Sequence, residues 1–140
     1  ILPRIALYKI LKNAYPTENN GYECMRKYMI DTVGAKKHSF TAKTEKIPGF
    51  YAIYSRIFLK IMKSSDLWVS EQSHGKDHFD VIIKKCLWHT ACEENGCEEL
   101  CRLFCAVDNI TYGGLKKMSF KRENTLGCGG ACCDFHFTRK

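Results

Sequence analysis

The first half of the chain carries apolar residues at the spacing of amphipathic helices. They recur every three or four positions from Leu2 to Leu11, and the following Pro16 cannot continue a helix. A second segment of this kind covers residues 21–33, and Gly34 is its expected stop. The pattern therefore predicts two helices, the second of which buries one face. That face consists of Tyr22, Met25, Met29 and Val33.

A third helical pattern follows the pair Pro48–Gly49 and covers about 15 residues. Basic residues occupy one side of it, and an apolar stripe occupies the other. Because a stripe with this spacing is typical of a helix packed on a protein core, we expect it to be buried. The stripe consists of Phe50, Ile53, Tyr54, Ile57 and Ile61.

The second half of the chain changes to the alternating pattern of β-strands. Residues 67–70 and 79–83 are short β-rich runs separated by a polar turn, which is typical of a hairpin. Residues 118–122 and 133–137 also alternate. The glycines between them predict a turn, because glycine weakens the interior of a strand.

One more helical segment, from Cys97 to Ile110, lies between the hairpin and the last two strands. We therefore expect an α+β fold, with N-terminal helices packed on an antiparallel sheet of about four strands and one helix inserted before the last two strands. At 140 residues and 16.1 kDa, the chain has the size of a single domain. Residues 1–65 are expected to form its helical part, and residues 66–140 the sheet with the inserted helix.

The composition excludes several classes of protein. Hydrophobic residues make up 45% and charged residues 26%, which excludes a disordered chain, a collagen-like fibre and a coiled coil. No segment approaches the roughly 18 uncharged apolar residues that span a bilayer. The net charge of +7 comes from scattered lysines and arginines, whereas a nucleic-acid-binding surface normally has a basic stripe. We expect a small-molecule substrate and neither a nucleic acid nor a membrane partner; a homo-oligomer is left open.

Nine cysteines are the unusual feature of the composition, and eight of them lie between Cys86 and Cys133. The number is odd, and the adjacent Cys132 and Cys133 would form a strained disulfide. The first residues also lack the basic and apolar regions of a signal peptide. These observations favour reduced thiols in a cytoplasmic protein. The chain contains no Cys-x2-Cys pair, so a metal site would need cysteines from separate elements.

One face of the helical segment from Cys97 combines thiols with a carboxylate. A carboxylate on such an apolar face must be paired, hydrogen-bonded or placed at the mouth of a pocket. Asp108 is therefore a candidate for chemistry, although it could instead cap the end of the helix near Asn109. The cysteines Cys97 and Cys101 are expected to be small buried hydrophobes. The whole face consists of Cys97, Leu100, Cys101, Phe104, Cys105 and Asp108.

Five short motifs in the C-terminal part occur in an order and spacing that resembles a known family. They are Cys-Leu-Trp at 86–88, Glu-Leu at 99–100, Phe-Cys-x-x-Asp at 104–108, Phe-x-Arg-x-x-Thr-Leu at 120–126 and Gly-Gly-x-x-Cys-Asp-Phe-x-Phe at 129–137. The last motif is the most specific, and the motifs lie within residues 79–138. In these motifs the chain resembles the L-2-amino-thiazoline-4-carboxylic acid hydrolase family.

The resemblance implies a hydrolase that opens a five-membered cyclic amidine, 2-amino-thiazoline-4-carboxylate, to N-carbamoyl-L-cysteine. In this reaction water attacks C2 while the ring sulfur leaves. It needs a base to activate the water, an acid or cation for the leaving group, and a cation to bind the substrate carboxylate. On the matching positions, Asp108 and Asp134 are the acid/base candidates, and Arg122 and Thr125 are candidates for binding the carboxylate. Cys86 is a further candidate for contacting the substrate. Three thiols are candidates for a nucleophile or for a divalent metal site such as zinc: Cys86, Cys105 and Cys133.

Some features of these motifs leave alternatives open. In a regular strand Cys133 and Asp134 point to opposite faces, so both serve one site only near a strand start or a bulge. Otherwise Asp134 accepts backbone N–H groups of the turn. A separate alternative for Arg122 is an ion pair with a carboxylate on a neighbouring strand. The spaced cysteines and the glycine turn are also similar to the V4R sensor domains. A non-catalytic domain that binds a small ligand or a metal is therefore the alternative function, and a thiol redox protein is the third.

Overall fold

The protein has the expected α+β class, with an open four-stranded antiparallel sheet and most of its helices in the N-terminal part. The computed structural model describes residues 1–16 and 20–140. Its elements are α1 (Leu2–Ala14), α2 (Asn20–Lys27), a π-helical segment (Tyr28–Gly34), α3 (Ala35–Thr44), α4 (Phe50–Ser64), β1 (Trp68–His74), β2 (His78–Cys86), α5 (Leu87–Glu94), α6 (Glu98–Tyr112), β3 (Met118–Lys121), a 3-10 turn (Leu126–Cys128) and β4 (Cys133–Arg139).

The sheet has the strand order β1-β2-β4-β3, which places β4 between the predicted hairpin and β3. Phe79 of β2 and Phe137 of β4 are register partners, and their rings stack at 4.5 Å. The ring of Phe58 on α4 lies 5.8 Å from the first and 5.3 Å from the second. Helix α4 therefore covers this face of the sheet with aromatic contacts, which add to the free energy of apolar burial.

The other N-terminal helices pack on one another and on α6, and only indirectly on the sheet. The insertion between β2 and β3 holds two helices, because α5 begins directly after β2 and α6 follows it. The hydrophobic cluster that joins the N-terminal helices to α5 and α6 includes Ile5, Tyr8, Met25, Met29, Cys92, Leu100, Leu103 and Val107.

Within the described part of the chain, no helix is both long and apolar enough to cross a membrane.

Gly34 does not end a helix, so that prediction is wrong. The chain runs through the π-helical segment directly into α3, and Gly34 itself has helical angles, φ −62° and ψ −48°. A Cβ atom at this position would lie 3.1 Å from Cγ2 of Ile110 on α6. The glycine thus lets α3 and α6 approach closely, and this long-range contact is invisible to a local sequence pattern.

The prediction of one buried stripe on α4 is also wrong in part. Ile53, Ile57 and Ile61 remain 46%, 54% and 52% exposed, while Phe50 is buried as expected. The aromatic contacts with the sheet rotate the helix so that Tyr51 and the small polar Ser55 face inward. The three isoleucines line an apolar groove of about 310 Å³ between α3 and α4, together with Phe40, Thr44 and Ile47.

A close crossing of α1 and α2 gives a first testable prediction. A Cβ atom at Gly21 would lie 2.8 Å from backbone atoms of Leu11 and Lys12, which cannot move without displacing α1. Gly21→Ala is therefore expected to lower the free energy of unfolding by about 1–3 kcal/mol, as overpacking does elsewhere. Denaturant unfolding measures this, and Lys27→Ala on the exposed side of α2 should stay within about 0.5 kcal/mol of the parent. Equal stability of the two variants would contradict the close crossing.

Candidate active site

The three cysteines of the resembling motifs meet where β2, α6 and β4 come together. Cys86 ends β2, and Cys133 begins β4 opposite Ile83 of β2. Cys105 lies on α6, where its thiol hydrogen-bonds with that of Cys133. The charge of Cys105 also acts on Cys86, which places all three thiols in one neighbourhood.

The thiols of this site continue into a longer row along α5 and α6. Cys101 and Cys105 shift each other's pKa, and so do Cys101 and Cys92, and Cys92 and Cys97. Because α6 returns to the same face every fourth residue, Cys97, Cys101 and Cys105 lie on one side of it. Cys92, Cys97 and Cys101 are buried, and Cys105 is half-buried at the end of the row nearest the sheet.

Two thiols of the row, Cys92 and Cys105, have a lowered pKa, and Cys105 is the one that lies beside Cys133. Hydrogen bonds from Cys101, Cys133 and Thr125 and the charge of Arg122 lower the pKa of Cys105 well below the ordinary thiol value, although burial acts against them. The pKa values of Cys101 and Cys133 are raised because these two thiols donate to Cys105. Between Cys105 and Cys133, the thiolate is therefore favoured on Cys105.

The 3-10 turn after β3 closes over this thiolate. A Cβ atom at Gly127 would lie 2.9 Å from Sγ of Cys101 and 3.0 Å from Sγ of Cys105, so only glycine allows this approach. The backbone N–H of Leu126 donates to Sγ of Cys133 at 3.3 Å. Thr125 accepts a hydrogen bond from the N–H of Cys128 at 3.1 Å, which orients its hydroxyl at the start of the turn.

Arg122 connects the turn to α6. Its guanidinium donates to Oδ2 of Asp108 at 3.2 Å, to the carbonyl oxygen of Cys105 at 2.8 Å and to Oδ1 of Asn109 at 3.2 Å. The side chain is only 3% exposed, and it lies over the ring of Phe135 at 5.3 Å. The guanidinium therefore serves contacts within the protein, and its carboxylate partner lies on α6 and not across the strands.

Asp108 combines this ion pair with access to solvent. Burial raises the pKa of Asp108 to about 6 and the neighbouring charge of Cys105 adds to this, while Arg122 acts to lower it. Its side chain nevertheless keeps 30% exposure, into a pocket of about 380 Å³ lined also by Lys36, Lys37 and Tyr112. Because α6 continues to Tyr112, Asp108 lies within the helix and does not cap its end.

Asp134 faces away from the thiols and holds the turn together. Its Oδ1 accepts the N–H groups of Glu123 and Asn124 at 3.0 and 2.6 Å, and its Oδ2 accepts the side-chain amide of Asn124 at 2.8 Å. Burial acts to raise the pKa of Asp134, but these hydrogen bonds outweigh it and lower the pKa. The structure thus brings together Cys86, Cys105, Cys133, Asp108, Arg122 and Thr125, while the carboxylate of Asp134 binds the backbone behind them.

Three residues of this region were not predicted as functional. Cys101 was expected to be a packing residue, although its spacing of four from Cys105 is the signal that would have identified it. Lys37 was not singled out, and Asn109 appeared only beside a possible helix cap; neither has a local signal, because a contact between elements places each beside Asp108 or Arg122. Among residues 1–16 and 20–140, no three His, Cys, Asp or Glu side chains are placed to hold one metal ion.

Comparison with known proteins supports the resemblance carried by the motifs. The family model described as L-2-amino-thiazoline-4-carboxylic acid hydrolase matches residues 1–137, which includes the N-terminal helices as well as the motifs of the C-terminal part. No curated protein and no solved structure matches the chain. The family supports a hydrolase-like function. The chain belongs to the L-2-amino-thiazoline-4-carboxylic acid hydrolase family.

Proposed function

We propose that this protein hydrolyses a small cyclic amidine, with 2-amino-thiazoline-4-carboxylate as the expected substrate and N-carbamoyl-L-cysteine as the product. The observation that carries the proposal is the pair formed by Cys105 and Asp108 on one face of α6, three residues apart. Cys105 supplies a thiolate, and Asp108 supplies a carboxyl group with a pKa of about 6. A nucleophile beside an acid that titrates near neutral pH is the arrangement that covalent hydrolysis needs.

Cys105 is the nucleophile in this proposal. Its Sγ attacks C2 of the ring, the C2–S bond of the ring breaks, and the ring sulfur leaves as a thiol after taking a proton from Asp108. The substrate is then held on Cys105 as an isothiourea. Because one carbon–sulfur bond forms as another breaks, this exchange needs little free energy, and splitting the reaction in this way makes each step easier.

Asp108 reverses its role in the second step. The carboxylate left by the first proton transfer takes a proton from water as that water attacks C2. The bond between C2 and Cys105 breaks, the thiolate of Cys105 is restored and N-carbamoyl-L-cysteine leaves. One water is consumed overall, and the same carboxyl group serves first as acid and then as base.

The lysines beside Asp108 are the proposed partners of the substrate carboxylate. The family resemblance implied this role for Arg122 and Thr125, but Arg122 is buried and already donates to three acceptors on α6. Lys36 and Lys37 line the pocket that Asp108 enters, and both are exposed at its rim. In this proposal Arg122 positions Asp108 and stabilises the thiolate of Cys105, and Thr125 donates to that thiolate.

The proposal is tested by incubating the purified, reduced protein with the thiazoline and following the formation of N-carbamoyl-L-cysteine by liquid chromatography and mass spectrometry. Acid quenching during turnover should also trap an adduct on the tryptic peptide that contains Cys105, with the mass of the intact substrate. Absence of turnover on this and on related cyclic amidines would overturn the proposed reaction. Turnover without any adduct would overturn the covalent role of Cys105 and leave water as the direct nucleophile.

The pKa of Asp108 gives a specific pH dependence. Because the first step needs the protonated carboxyl group, kcat/KM should be highest below about pH 6 and fall as the pH rises through that value. Asp108→Asn is expected to lower kcat/KM at least about tenfold at pH 6 and to remove this limb of the profile. Asp31→Asn, at an exposed carboxylate on the π-helical segment, is the control and should keep the profile. An unchanged limb in Asp108→Asn would assign the titration to another group.

A further inference from the structure

A second cavity, with a different chemistry, lies at the other end of the sheet. It has a volume of about 540 Å³ and is formed by the first turn of α4, the turn between β1 and β2, and the end of β4. Cys133 begins β4 and Arg139 ends it, so the cavity lies about 20 Å from the thiols. It is therefore separate from the site of the proposed hydrolysis.

In the part of the chain that the structure describes, the lining of the cavity includes five cationic side chains and no Asp or Glu, and the nearest carboxylates that act on it are those of Asp77 and Asp80, behind Tyr51. Among the described residues, Arg56, Lys76 and Lys117 form no ion pair, and Arg139 has only a long one to Asp77 at 3.8 Å between exposed side chains. Such a concentration of one sign of charge in a concave surface attracts anions from solution. The cationic side chains of the lining are Arg56, Lys76, Lys117, Arg139 and Lys140.

The backbone adds to this positive field. Helix α4 begins at the cavity, and its N-cap Gly49 has a left-handed conformation with φ 70° and carries no side chain to accept the N–H groups of the first turn. Gly49, Phe50, Tyr51 and Ala52 all line the cavity. The N–H of Phe50 already donates to the carbonyl oxygen of Ile47 at 3.1 Å, but the positive dipole end of this 15-residue helix lies at the cavity, as in proteins that bind phosphate at a helix N-terminus.

We infer that this cavity binds a small phosphate-bearing molecule with two or more negative charges. The cationic side chains of the lining attract a ligand with several negative charges, and a helix N-terminus favours phosphate oxygens. The cavity is large enough for a metabolite rather than for a single ion. The inference is independent of the proposed hydrolysis, because the two sites share no residue.

Titration calorimetry of the full chain with pyrophosphate at low ionic strength tests the inference. Saturable binding at one site is expected, and the double variant Arg56→Gln/Lys117→Gln should weaken it at least about tenfold. The matched control Lys63→Gln/Lys121→Gln removes the same charge from the same helix and from the opposite end of β3, away from the cavity, and should stay within about twofold.

Three outcomes would overturn the inference. One is the absence of binding at about 10 mM pyrophosphate, because a specific site would be occupied at a much lower concentration. Another is equal weakening in the double variant and its control, which would show attraction by net charge alone. The third is citrate binding as tightly as pyrophosphate, because this would exclude recognition of phosphate. Thermal unfolding of each variant confirms that it is folded, and Lys76→Gln, in an exposed turn, provides a further variant with little risk to the fold.

Discussion

Replacing Cys105 by serine is expected to lower kcat/KM for ring opening by about a thousandfold, or about 4 kcal/mol of transition-state stabilisation. The hydroxyl group of serine stays protonated where the thiol of Cys105 is a thiolate, so the nucleophile is lost while the size of the side chain is nearly kept. The measurement is the initial rate of product formation at several substrate concentrations. The trapped adduct should disappear in the same variant.

Two further cysteine variants separate nucleophilic attack from a general effect on thiols. Cys24→Ser, at an exposed thiol on α2, should leave the rate unchanged. Cys101→Ala removes one donor to the thiolate, so the pKa of Cys105 should rise and the rate should fall about tenfold at low pH, with partial recovery at higher pH. A Cys105→Ser variant within about threefold of the parent would exclude Cys105 as the nucleophile.

Replacing Arg122 by methionine is expected to have the largest effect on stability. The variant leaves Asp108 without its ion pair and the carbonyl oxygen of Cys105 without its donor, beside a second negative charge. Breaking such a pair on one side costs about 3–5 kcal/mol where the remaining charge is buried. Because Asp108 keeps some exposure to its pocket, we expect a loss toward the lower end, about 3 kcal/mol at pH 8, measured by denaturant unfolding.

The sign of the pH dependence follows from the raised pKa of Asp108. A carboxyl group whose pKa is higher in the folded than in the unfolded protein favours folding while it is protonated, and this contribution is lost as the pH rises through about 6. Loss of Arg122 raises that pKa further. The difference between variant and parent should therefore be large at pH 8 and smaller at pH 5, where Asp108 becomes neutral.

Two matched variants check this account of Arg122. Arg102→Met removes the same charge from the exposed side of α6 and should change the free energy of unfolding by less than about 0.5 kcal/mol. The double variant Arg122→Met/Asp108→Asn should recover part of the lost stability at pH 8, because it contains no unpaired carboxylate. A loss in Arg122→Met that is independent of pH would show that packing on Phe135, and not the ion pair, accounts for the effect.

Much of the fold could be predicted from local patterns, and the failures have a common cause. The hairpin and β4 were predictable because alternation is a property of a few neighbouring residues, as in Phe135 and Phe137. Gly34 and Ile53 were misassigned because their environment depends on other elements: Ile110 approaches Gly34 from α6, and the rings of Phe79 and Phe137 fix the rotation of α4. Helical spacing shows that a stripe exists but not which side of the helix the sheet covers.

In the candidate site, too, the sequence predicted some residues and not others. The resemblance brought Cys105, Cys133 and Asp108 together, because motif order is a property of the sequence. It could not show that the guanidinium of Arg122 donates its hydrogen bonds to groups on α6, or that Asp134 accepts backbone N–H groups. Both contacts depend on where the turn lies in space. The alternative in which Asp134 accepts N–H groups of the turn is the one that agrees with the geometry.

The two neighbouring residues at the start of β4 have a consequence for local opening of the protein. Asp134 accepts the amide protons of Glu123 and Asn124 on one face of the strand, and Cys133 accepts that of Leu126 on the other. Separation of this strand end from β2 would release all three amides in one event, together with the thiol that donates to Cys105. In hydrogen exchange these amides should therefore give one common free energy of opening, set by the separation of the strand and not by the exposure of the loop. The nucleophile and the loop above it would then be assembled and lost as one cooperative unit.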